Sequence, residues 1–491
     1  AKMLESFDKS KIQDLTNNLS LNWYITKSLY FKGQVAVTLT DTETKVFKDP
    51  LSSSFYNVDD DKKGSLDLSK KKLVKWNTNF VLNYVQTIKK HNMNFSLGLN
   101  TESTNSSVEK YLGFPSGELN TPAFAENVDD VPTYSDNKKR LFGSFVSLNY
   151  TYNDIYLFDA SWRLDGSSEF GAAKKYAPFY SGGVGLNVHN YQFMQGQNVV
   201  SLLKVTGTFG VLGKTNFPAY AAKHTYDVTN SYYSTGGGVF LHYMGNEDLK
   251  WERTFSRDLK LELGLLDDAI YTKFTWYNKT TKDLITDVTI PTHTGFTSYK
   301  DNMGEVENKG IELDVRFNII QRKDWMLAVF GNLAHNRNQI LKISESLKAY
   351  NERVNEKFDE YFENIFNKQD LKYSKPLLKY EEGGSLTSIY GMRSLGINPS
   401  NGKELFLDRS GQVIQEWTAS QQAILGDTEP DATGSFGVNF QWKRFTLFAT
   451  FMYEFGGQVY NQTLVDKVEN VKLYDMNADK RVLTERWAKP G

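Results

Sequence analysis

Apolar and polar residues alternate along most of this chain, in stretches of about ten residues that recur from one end to the other. Between Leu259 and Leu265 every second residue is leucine, and Lys260, Glu262 and Gly264 stand between them. Successive side chains of an extended strand point to opposite faces, so such a segment has one apolar and one polar face. The pattern predicts an all-β protein built from half-buried strands.

The alternating stretches come in pairs joined by turns of about two to four residues, which predicts antiparallel hairpins. The six clearest turns lie at Lys27, Lys90, Asn153, Asp267, Lys323 and Lys443. A weaker pair of stretches spans Phe179–Val188 and Leu202–Val211. We therefore predict about fourteen strands in seven hairpins.

The connections between hairpins are much longer than the turns within them. Asp41–Lys72, Leu212–Lys250 and Arg337–Thr433 each span tens of residues, and the last is the longest. Transmembrane β-barrels have short periplasmic turns and long external loops, whereas a soluble sandwich rarely collects all its short turns at one end. The sequence therefore predicts a transmembrane antiparallel β-barrel.

The composition agrees with a barrel and excludes several other classes. No apolar run approaches the roughly 18 residues that a transmembrane helix needs, and the mean hydropathy is −0.49. A barrel keeps this polar average because only alternate residues meet lipid. The chain has no cysteine, which excludes disulfides and thiolate sites, and its 57 basic and 58 acidic residues produce no field that would attract nucleic acid.

No catalytic arrangement of residues is recognisable in the sequence. The six histidines include no pair at the spacing of metal ligands. The chain also has no nucleophile-elbow serine, phosphate-binding glycine loop or zinc motif. We therefore expect neither an enzyme nor a bound cofactor.

One acidic stretch is a candidate calcium site. Asp475, Asn477 and Asp479 alternate carboxylate and amide oxygens, as residues do at the start of a calcium-binding loop. Lys480 stands where such a loop has its central glycine, and Glu485 comes one position too early to complete it. We therefore expect no metal and keep these residues as the calcium alternative.

Aromatic residues in the long connections are the candidate ligand-binding residues. Tyr232, Tyr233 and Trp417 can stack on sugar rings or grip peptide side chains, although packing within the loops explains them equally well. Other aromatic residues fall on the predicted strands, several near strand ends, where barrels place them at the lipid boundary. They are Tyr24, Trp76, Tyr84, Tyr150, Trp162, Trp276, Trp325 and Trp442.

The segment Ser344–Asn367 departs from the strand pattern. Its apolar residues recur at helical spacing among charged ones. They are Leu347, Val354, Phe358, Tyr361 and Phe362. We predict a short amphipathic helix inside the longest loop, which either packs over the barrel mouth or lies solvated on the loop.

Five short strings of residues resemble those of the SusC/RagA family of TonB-dependent outer-membrane transporters. The strings are Arg163–Gly171 (RLDGSSEFG), Asn246–Glu252 (NEDLKWE), Tyr277–Leu284 (YNKTTKDL), Asn302–Glu312 (NMGEVENKGIE) and Arg486–Gly491 (RWAKPG). Glu247 replaces the proline that is usual in the second string. Each string alone is weak evidence, but five in the family's order across most of the chain form a specific signal.

The resemblance implies a barrel of twenty-two strands with an N-terminal plug inside it. Nothing in residues 1–491 resembles the plug, and several barrel strands are missing, so we interpret the sequence as a partial barrel trimmed at both ends. The resemblance also implies a bacterial outer-membrane protein that works with a SusD-like surface lipoprotein and, through the plug, with the TonB complex. It is compatible with a dimer of importer–lipoprotein pairs.

The implied function is TonB-dependent import of a bulky nutrient, with a glycan as the first choice of ligand and an oligopeptide as the second. A passive porin would share the strands and the loop asymmetry but not the five strings. An all-β surface adhesin would show repeated modules with short links at both ends. The strings favour the importer over both alternatives.

Overall fold

The computed structural model describes most of the chain. The described residues are 6–60, 63–115, 125–126, 133–171, 174–215, 217, 220–233, 236–289, 296, 298–302, 304–345, 347–349, 351–353, 355–356, 379–464, 467–468, 477–484 and 487–490. They fall into two compact units, one made of Ala1–Gly183 and Thr215–Trp251 and the other of Val184–Lys214 and Glu252–Gly491. No helix among the described residues is long and apolar enough to cross a membrane.

Fourteen long strands dominate the fold. The first seven are β1 (Phe7–Tyr24), β2 (Leu29–Lys48), β3 (Ser65–Ile88), β4 (His91–Pro115), β5 (Thr133–Tyr152), β6 (Tyr156–Ser167) and β7 (Tyr176–Asn187). The other seven are β8 (Val200–Lys214), β9 (Glu252–Leu265), β10 (Ile270–Lys282), β11 (Glu305–Arg322), β12 (Trp325–Lys342), β13 (Ala432–Trp442) and β14 (Phe445–Phe455). β4 has 25 residues, well over the roughly 9–11 that cross the hydrocarbon of a bilayer, so it is long enough to extend beyond the membrane.

Neighbouring strands pair in antiparallel meanders. β1 to β6 follow one another in order within the first unit, and β8 to β14 do so within the second. The register of β1 on β2 runs without a shift from Phe7 opposite Phe47 to Tyr24 opposite Tyr30. The six clear hairpins predicted from the sequence are confirmed, and β7 and β8 are the strands of the weaker pair.

The tight turns adopt left-handed backbone conformations. Asn153 and Asp154, between β5 and β6, have φ angles of 53° and 56°, and Asp267 and Asp268, between β9 and β10, have 55° and 61°. Asn and Asp tolerate this region because their short polar side chains hydrogen-bond locally. The steric demand of the turn explains why these residue types stand between the alternating stretches.

One face of the strands is apolar and exposed. The register places Leu259, Trp276 and Ile311 side by side on β9, β10 and β11, with exposed fractions of 50%, 40% and 36%. A contiguous apolar surface of this kind is unfavourable in water and is typical of strands that face lipid. The opposite face carries polar residues, such as Asp258 and Lys260 on β9.

Buried side chains are concentrated near the loop ends of the strands. In the first unit Phe47 and Leu66 lie opposite each other on β2 and β3 and are fully buried. In the second unit Val306, Ile340 and Ile343 form a buried cluster where β11 begins and β12 ends. Because these clusters lie where the long connections leave the strands, they hold the bases of the loops in place.

The long connections contain short strands that the alternation pattern did not predict. Three pairs are Thr225–Tyr233 with Gly236–Tyr243, Ile285–Thr289 with Ser298–Asn302, and Ser388–Gly391 with Ala423–Asp427. Arg393–Ile397, Glu404–Leu407 and Val413–Ile414 form a three-stranded sheet, and Ala125–Glu126 pairs with the end of β4. Short helical turns occur at Ser53–Phe55, Val188–Asn190, Gln192–Met194, Ala419–Gln421, Gln462–Leu464 and Arg481–Thr484.

The described part of Ser344–Asn367 is helical at residues 345, 347–349, 351–353 and 355–356. Leu347 packs against the cluster of Val306, Ile340 and Ile343. The Asn351 Nδ2 donates a hydrogen bond to the carbonyl oxygen of Tyr380 at 2.9 Å. The helix therefore packs on the base of its own loop. The other apolar residues of the predicted helix, Val354, Phe358, Tyr361 and Phe362, lie outside the described residues.

Candidate functional site

Two of the five strings meet in one buried aromatic cluster in the first unit. The ring of Phe170, which is fully buried, stacks on Trp251 with centroids 4.7 Å apart and meets Phe217 edge-on at 5.0 Å. Phe179 on β7 packs edge-on against Trp251 at 5.6 Å. We call these four residues the aromatic anchor. It joins the loop that follows β6 to the segment that precedes β9.

The serines of the first string tie the anchor to the backbone. Trp251 Nε1 and the Ser167 N–H both donate hydrogen bonds to the carbonyl oxygen of Lys175, at 3.3 and 3.1 Å. The Arg140 N–H donates to Ser168 Oγ at 2.9 Å, and the Ser168 N–H donates to the carbonyl oxygen of Arg140 at 3.0 Å. These bonds pair backbone groups where β6 ends alongside Arg140 of β5.

The last residues of the first string, Glu169 and Gly171, complete the anchor. The buried carboxylate of Glu169 lies 2.6 Å from Lys139 Nζ and accepts a hydrogen bond from Ser167 Oγ at 3.2 Å. A Cβ at Gly171 would lie 2.9 Å from the carbonyl carbon of Glu247, which belongs to the second string. Only glycine fits this approach between two backbones, so the string ends in glycine for a packing reason.

Three strings meet at the base of the loop between β10 and β11. Glu252, a buried residue that ends the second string, accepts a hydrogen bond from the Ile285 N–H at 2.9 Å. Arg253 donates from Nε and Nη2 to one carboxylate oxygen of Asp283, at 3.2 and 2.8 Å. Asn302 Nδ2 donates to the carbonyl oxygen of Asp283 at 2.8 Å. The third and fourth strings thus fix a turn, in which Asp283 has a φ of 58°.

The tyrosine of the third string packs over a glycine of the fourth. Tyr277 on β10 lies opposite Gly310 on β11, and a Cβ at Gly310 would lie 2.6 Å from Tyr277 Oη and 2.8 Å from its ring. Tyr277 Oη donates a hydrogen bond to Asn336 Oδ1 on β12 at 2.9 Å. The ring therefore bridges three strands, which is possible only because Gly310 has no side chain.

The described part of the fifth string packs on the sheet of the longest loop. Trp487 Nε1 donates a hydrogen bond to the carbonyl oxygen of Pro399 at 3.1 Å. Gly402 has a φ of 73°, and a Cβ there would overlap the Trp487 ring, with Cδ2 and Cζ3 both 2.7 Å away. The tryptophan therefore covers a tight turn that needs glycine both for its backbone conformation and for space.

The strings are therefore sites of packing between loops and strands. Their serines, glycines and aromatic residues satisfy backbone groups, admit close approaches and fill small cores. In the sequence the strings carry a family signal but not these roles, because their packing partners lie far away along the chain.

The structure leaves the predicted ligand-binding aromatics untested. Tyr232 and Tyr233 lie on the strand Thr225–Tyr233, and their side chains are outside the described part of the protein. Trp417 lies between the strand Val413–Ile414 and the turn Ala419–Gln421. It is half-buried and interacts with other groups of the chain. Any ligand contact by these residues stays a prediction.

The calcium alternative is also untested. Asp475 and Glu485 lie outside the described residues, and Asn477 is exposed. Asp479 accepts hydrogen bonds from Arg481 Nε and Nη2, both at 3.0 Å, and these bonds lower the pKa of the Asp479 carboxyl to about 2. Within the described ranges no group of three or more His, Cys, Asp or Glu residues could hold a metal ion.

An ionic cluster in the longest loop has no counterpart in the sequence analysis. Arg409 Nη2 donates to both carboxylate oxygens of Glu381, at 2.9 and 3.2 Å, and its Nε donates to the carbonyl oxygen of Gln422 at 2.8 Å. Lys379 Nζ lies 2.7 Å from Glu381 Oε1. We call Lys379, Glu381 and Arg409 the loop cluster. No motif signals it, because its members come together only when the loop folds.

We expect the loop cluster to weaken on acidification. Burial raises the pKa of the Glu381 carboxyl, but hydrogen bonds and charges from Lys379 and Arg409 outweigh this effect and hold the pKa below its ordinary 4.5. A carboxyl with a lowered pKa in the folded state stabilises that state above its ordinary pKa, and this stabilisation is lost as the pH falls through the lowered value.

Hydrogen exchange, corrected for the intrinsic rate at each pH, measures this effect. Protection of residues 379–422 is expected to fall below about pH 4.5 in the wild-type protein. The Glu381→Gln variant removes the titrating group, so its protection should be lower and should vary less with pH. A wild-type segment that keeps full protection at pH 3 would contradict the prediction.

These features define a class of protein. The strands are long and antiparallel, each has an exposed apolar face and an opposite polar face, and within each unit the short turns lie at one end. These are the properties of a transmembrane β-barrel of the bacterial outer membrane.

The comparison with family models identifies the family. The chain belongs to the family "TonB dependent receptor-like, beta-barrel", whose model matches residues 5–482. The match covers nearly the whole chain, and the described strands lie within it.

Curated relatives support the same assignment. TonB-dependent receptor P3 of Formosa agariphila is 28% identical over 350 residues, which are 67% of this chain and 33% of that protein. TonB-dependent receptor SusC of Bacteroides thetaiotaomicron is 26% identical over 367 residues, which are 72% of this chain and 35% of that protein. The chain therefore spans about a third of the length of these relatives.

A solved structure shows the same fold. The structure of the RagAB peptide transporter superposes with a TM-score of 0.82 at 24% identity, covering 99% of this chain and 52% of that one. The resemblance to SusC/RagA transporters and the outer-membrane location that it implied are confirmed.

Proposed function

We propose that this chain is part of a SusC-like importer that carries a bulky nutrient across the outer membrane, driven through TonB and assisted by a SusD-like lipoprotein. Membership of the TonB-dependent receptor family over residues 5–482 is the observation that carries this proposal. It also favours an importer over a passive porin or an adhesin.

The residues of this chain support capture and not catalysis. The aromatic anchor and the loop cluster hold long loops on the strand ends, and such loops can form a recess for a ligand. Binding there would be relayed to a plug, and a pull by TonB, powered by the inner-membrane proton gradient, would open the pore. No residue of the chain is assigned a chemical step.

The full importer needs more strands than this chain contributes. Among the described residues β1 and β14 each pair on one side only. An unpaired backbone edge in lipid costs several kcal/mol per unsatisfied group, so barrels close on themselves. We therefore propose that residues 1–491 are a partial barrel, completed by further strands and by a plug.

A glycan is the proposed ligand class, with an oligopeptide as the second candidate. Trp417, Tyr232 and Tyr233 are of the residue type that stacks on sugar rings. The peptide alternative is supported by the solved relative, the RagAB peptide transporter.

The test is to purify the full-length protein from outer membranes in mild detergent and to identify by mass spectrometry everything that co-elutes. Co-elution of a surface lipoprotein together with an oligosaccharide would support the proposal. A bound peptide in place of the sugar would shift the ligand class to the second candidate. A single barrel that conducts ions freely and carries no lipoprotein would show that it is a porin.

A substitution in the loop tests the ligand assignment. If Trp417 stacks on the ligand, Trp417→Ala should weaken binding by roughly two- to tenfold, since an aromatic contact contributes roughly 0.5–1.5 kcal/mol. Isothermal titration with the co-purified ligand measures this change. Trp442→Ala, on the lipid-facing side of β13, is the matched control and should bind normally. Equal affinities of the two variants would remove Trp417 from the site.

A further inference from the structure

A row of basic side chains crosses neighbouring strands of the second unit. The register places Arg257 on β9 opposite Asn278 on β10, Asn278 opposite Lys309 on β11, and Lys309 opposite Arg337 on β12. Residues that lie directly opposite one another point to the same face of a sheet. We call Arg257, Lys309 and Arg337 the basic row.

The basic row lies on the lipid-facing side of the strands. Two residues further along each strand, on the same face, the register aligns Leu259, Trp276, Ile311 and His335. The three apolar members of that line are exposed and belong to the apolar face described above. The basic row therefore lies about 7 Å beyond the lipid-facing residues, where the membrane surface would be.

The row lies at the outer surface of the membrane. Arg257 and Lys309 are close to the starts of β9 and β11, and Arg337 is close to the end of β12. These strand ends lead into the long connections, while the other ends carry the turns at Asp267 and Lys323. Long connections of outer-membrane barrels are external, so the row meets the outer leaflet.

The row has an excess of positive charge. Among the described residues Glu307 is the one acid that forms an ion pair with the row: it lies 3.0 Å from Lys309 Nζ and accepts a hydrogen bond from Asn278 at 2.9 Å. Arg257 and Arg337 are both exposed. Three cations therefore face one carboxylate.

Other charges near the loop ends balance one another. In the second unit, closer to the long connections than the basic row, Arg253 pairs with Asp283 at 2.8 Å and Lys282 pairs with Glu305 at 2.9 Å. A comparable patch of the first unit has three lysines and three acidic residues on one face, and the register places lysines opposite acidic residues across neighbouring strands. They are Lys11, Lys70, Lys72, Asp41, Glu43 and Glu109. The excess charge thus distinguishes the basic row.

We propose that the basic row binds the phosphate groups of a phosphorylated glycolipid in the outer leaflet. The guanidinium groups of Arg257 and Arg337 match phosphate oxygens in planar, bidentate geometry, and Lys309 adds a point charge. Neighbouring strands are about 4.8 Å apart, so the row spans roughly 15 Å, which suits a headgroup with more than one phosphate. The acyl chains of the same lipid would lie along Leu259, Trp276 and Ile311.

The test is native mass spectrometry of the full-length protein in detergent, titrated with bis-phosphorylated lipid A. The variant Arg257→Gln/Lys309→Gln/Arg337→Gln removes the row. The matched control, Lys260→Gln/Lys273→Gln/Arg316→Gln, removes three positive charges from the opposite face of β9, β10 and β11. Retarded migration of unheated samples in gels verifies folding, and single variants replace the triple variant if it does not fold. Because no nutrient is present, the result is independent of the proposed import.

We expect the row variant to retain at least tenfold less lipid A than the wild-type protein, while the control retains the wild-type amount. Dephosphorylated lipid A should bind weakly to the wild-type protein, with the same retention as intact lipid A on the row variant. Equal retention by the row variant and the wild type would overturn the proposal. Displacement of lipid A by an equal concentration of inorganic phosphate would also overturn it, because the row would then be a site for free anions.

Discussion

Replacement of Phe170 by alanine is expected to lower the free energy of unfolding by about 3–5 kcal/mol, the cost of emptying a fully buried aromatic site. The ring contacts both Trp251 and Phe217, so its loss would open a cavity between two loops. Neither loop can close the gap easily, because hydrogen bonds such as that from Trp251 Nε1 to the Lys175 carbonyl hold the segments in place. Urea titration of the full-length protein in lipid vesicles, followed by tryptophan fluorescence, measures the change.

Phe193→Ala is the matched control for this substitution. Phe193 lies in the short turn Gln192–Met194 and is 73% exposed. Its removal should change stability by no more than about 0.5 kcal/mol. If the two variants were equally stable, Phe170 would not hold the loops as the structure indicates, and the first string would need another explanation.

Gly310→Val is expected to destabilise the second unit by about 1–3 kcal/mol or more, the usual cost of overpacking. The new Cβ would overlap the Tyr277 ring and approach the carbonyl oxygen of His335. The ring would have to leave its position, and the hydrogen bond from Tyr277 Oη to Asn336 would break. The same urea titration reports the loss, and hydrogen exchange of β10 and β11 locates it.

The control for this change is Gly331→Val on β12. There the nearest atoms to an added Cβ are 3.7 and 3.8 Å away, which is ordinary contact distance. Valine also favours strands, so stability should change by less than about 0.5 kcal/mol or increase slightly. Equal destabilisation by both valines would mean that any side chain in a strand glycine position is harmful, and that the tyrosine over Gly310 is not the cause.

The strands and turns could be predicted from the sequence because their signals are local. The alternation of the leucines from Leu259 to Leu265 with Lys260, Glu262 and Gly264 specifies two faces without reference to the rest of the chain. Asp267 and Asp268 adopt left-handed conformations that their own side chains favour. The loop strands, such as Ser388–Gly391, escaped prediction because they are short and lack sustained alternation.

The roles of the five strings could not be predicted in the same way. Phe170 and Trp251 are eighty-one positions apart, and no pattern in either string specifies that their rings stack. From the sequence alone, Gly171 and Gly310 could each be a flexible turn residue. The structure shows that each leaves room for a close neighbour, the Glu247 backbone at Gly171 and the Tyr277 ring at Gly310. The loop cluster and the basic row could not be predicted for the same reason, since only their neighbours in the fold distinguish these charged residues from others in the chain.

The sequence by itself determined the class of protein, the order of the strands and the side of the strands that meets lipid. These properties follow from the period of a strand and the steric demands of a turn, which act over a few residues. Only the tertiary structure decided which residues hold the loops and where positive charge accumulates at the membrane surface. Strand register brings side chains from three strands into one row, and register is a relation between segments that no single segment contains.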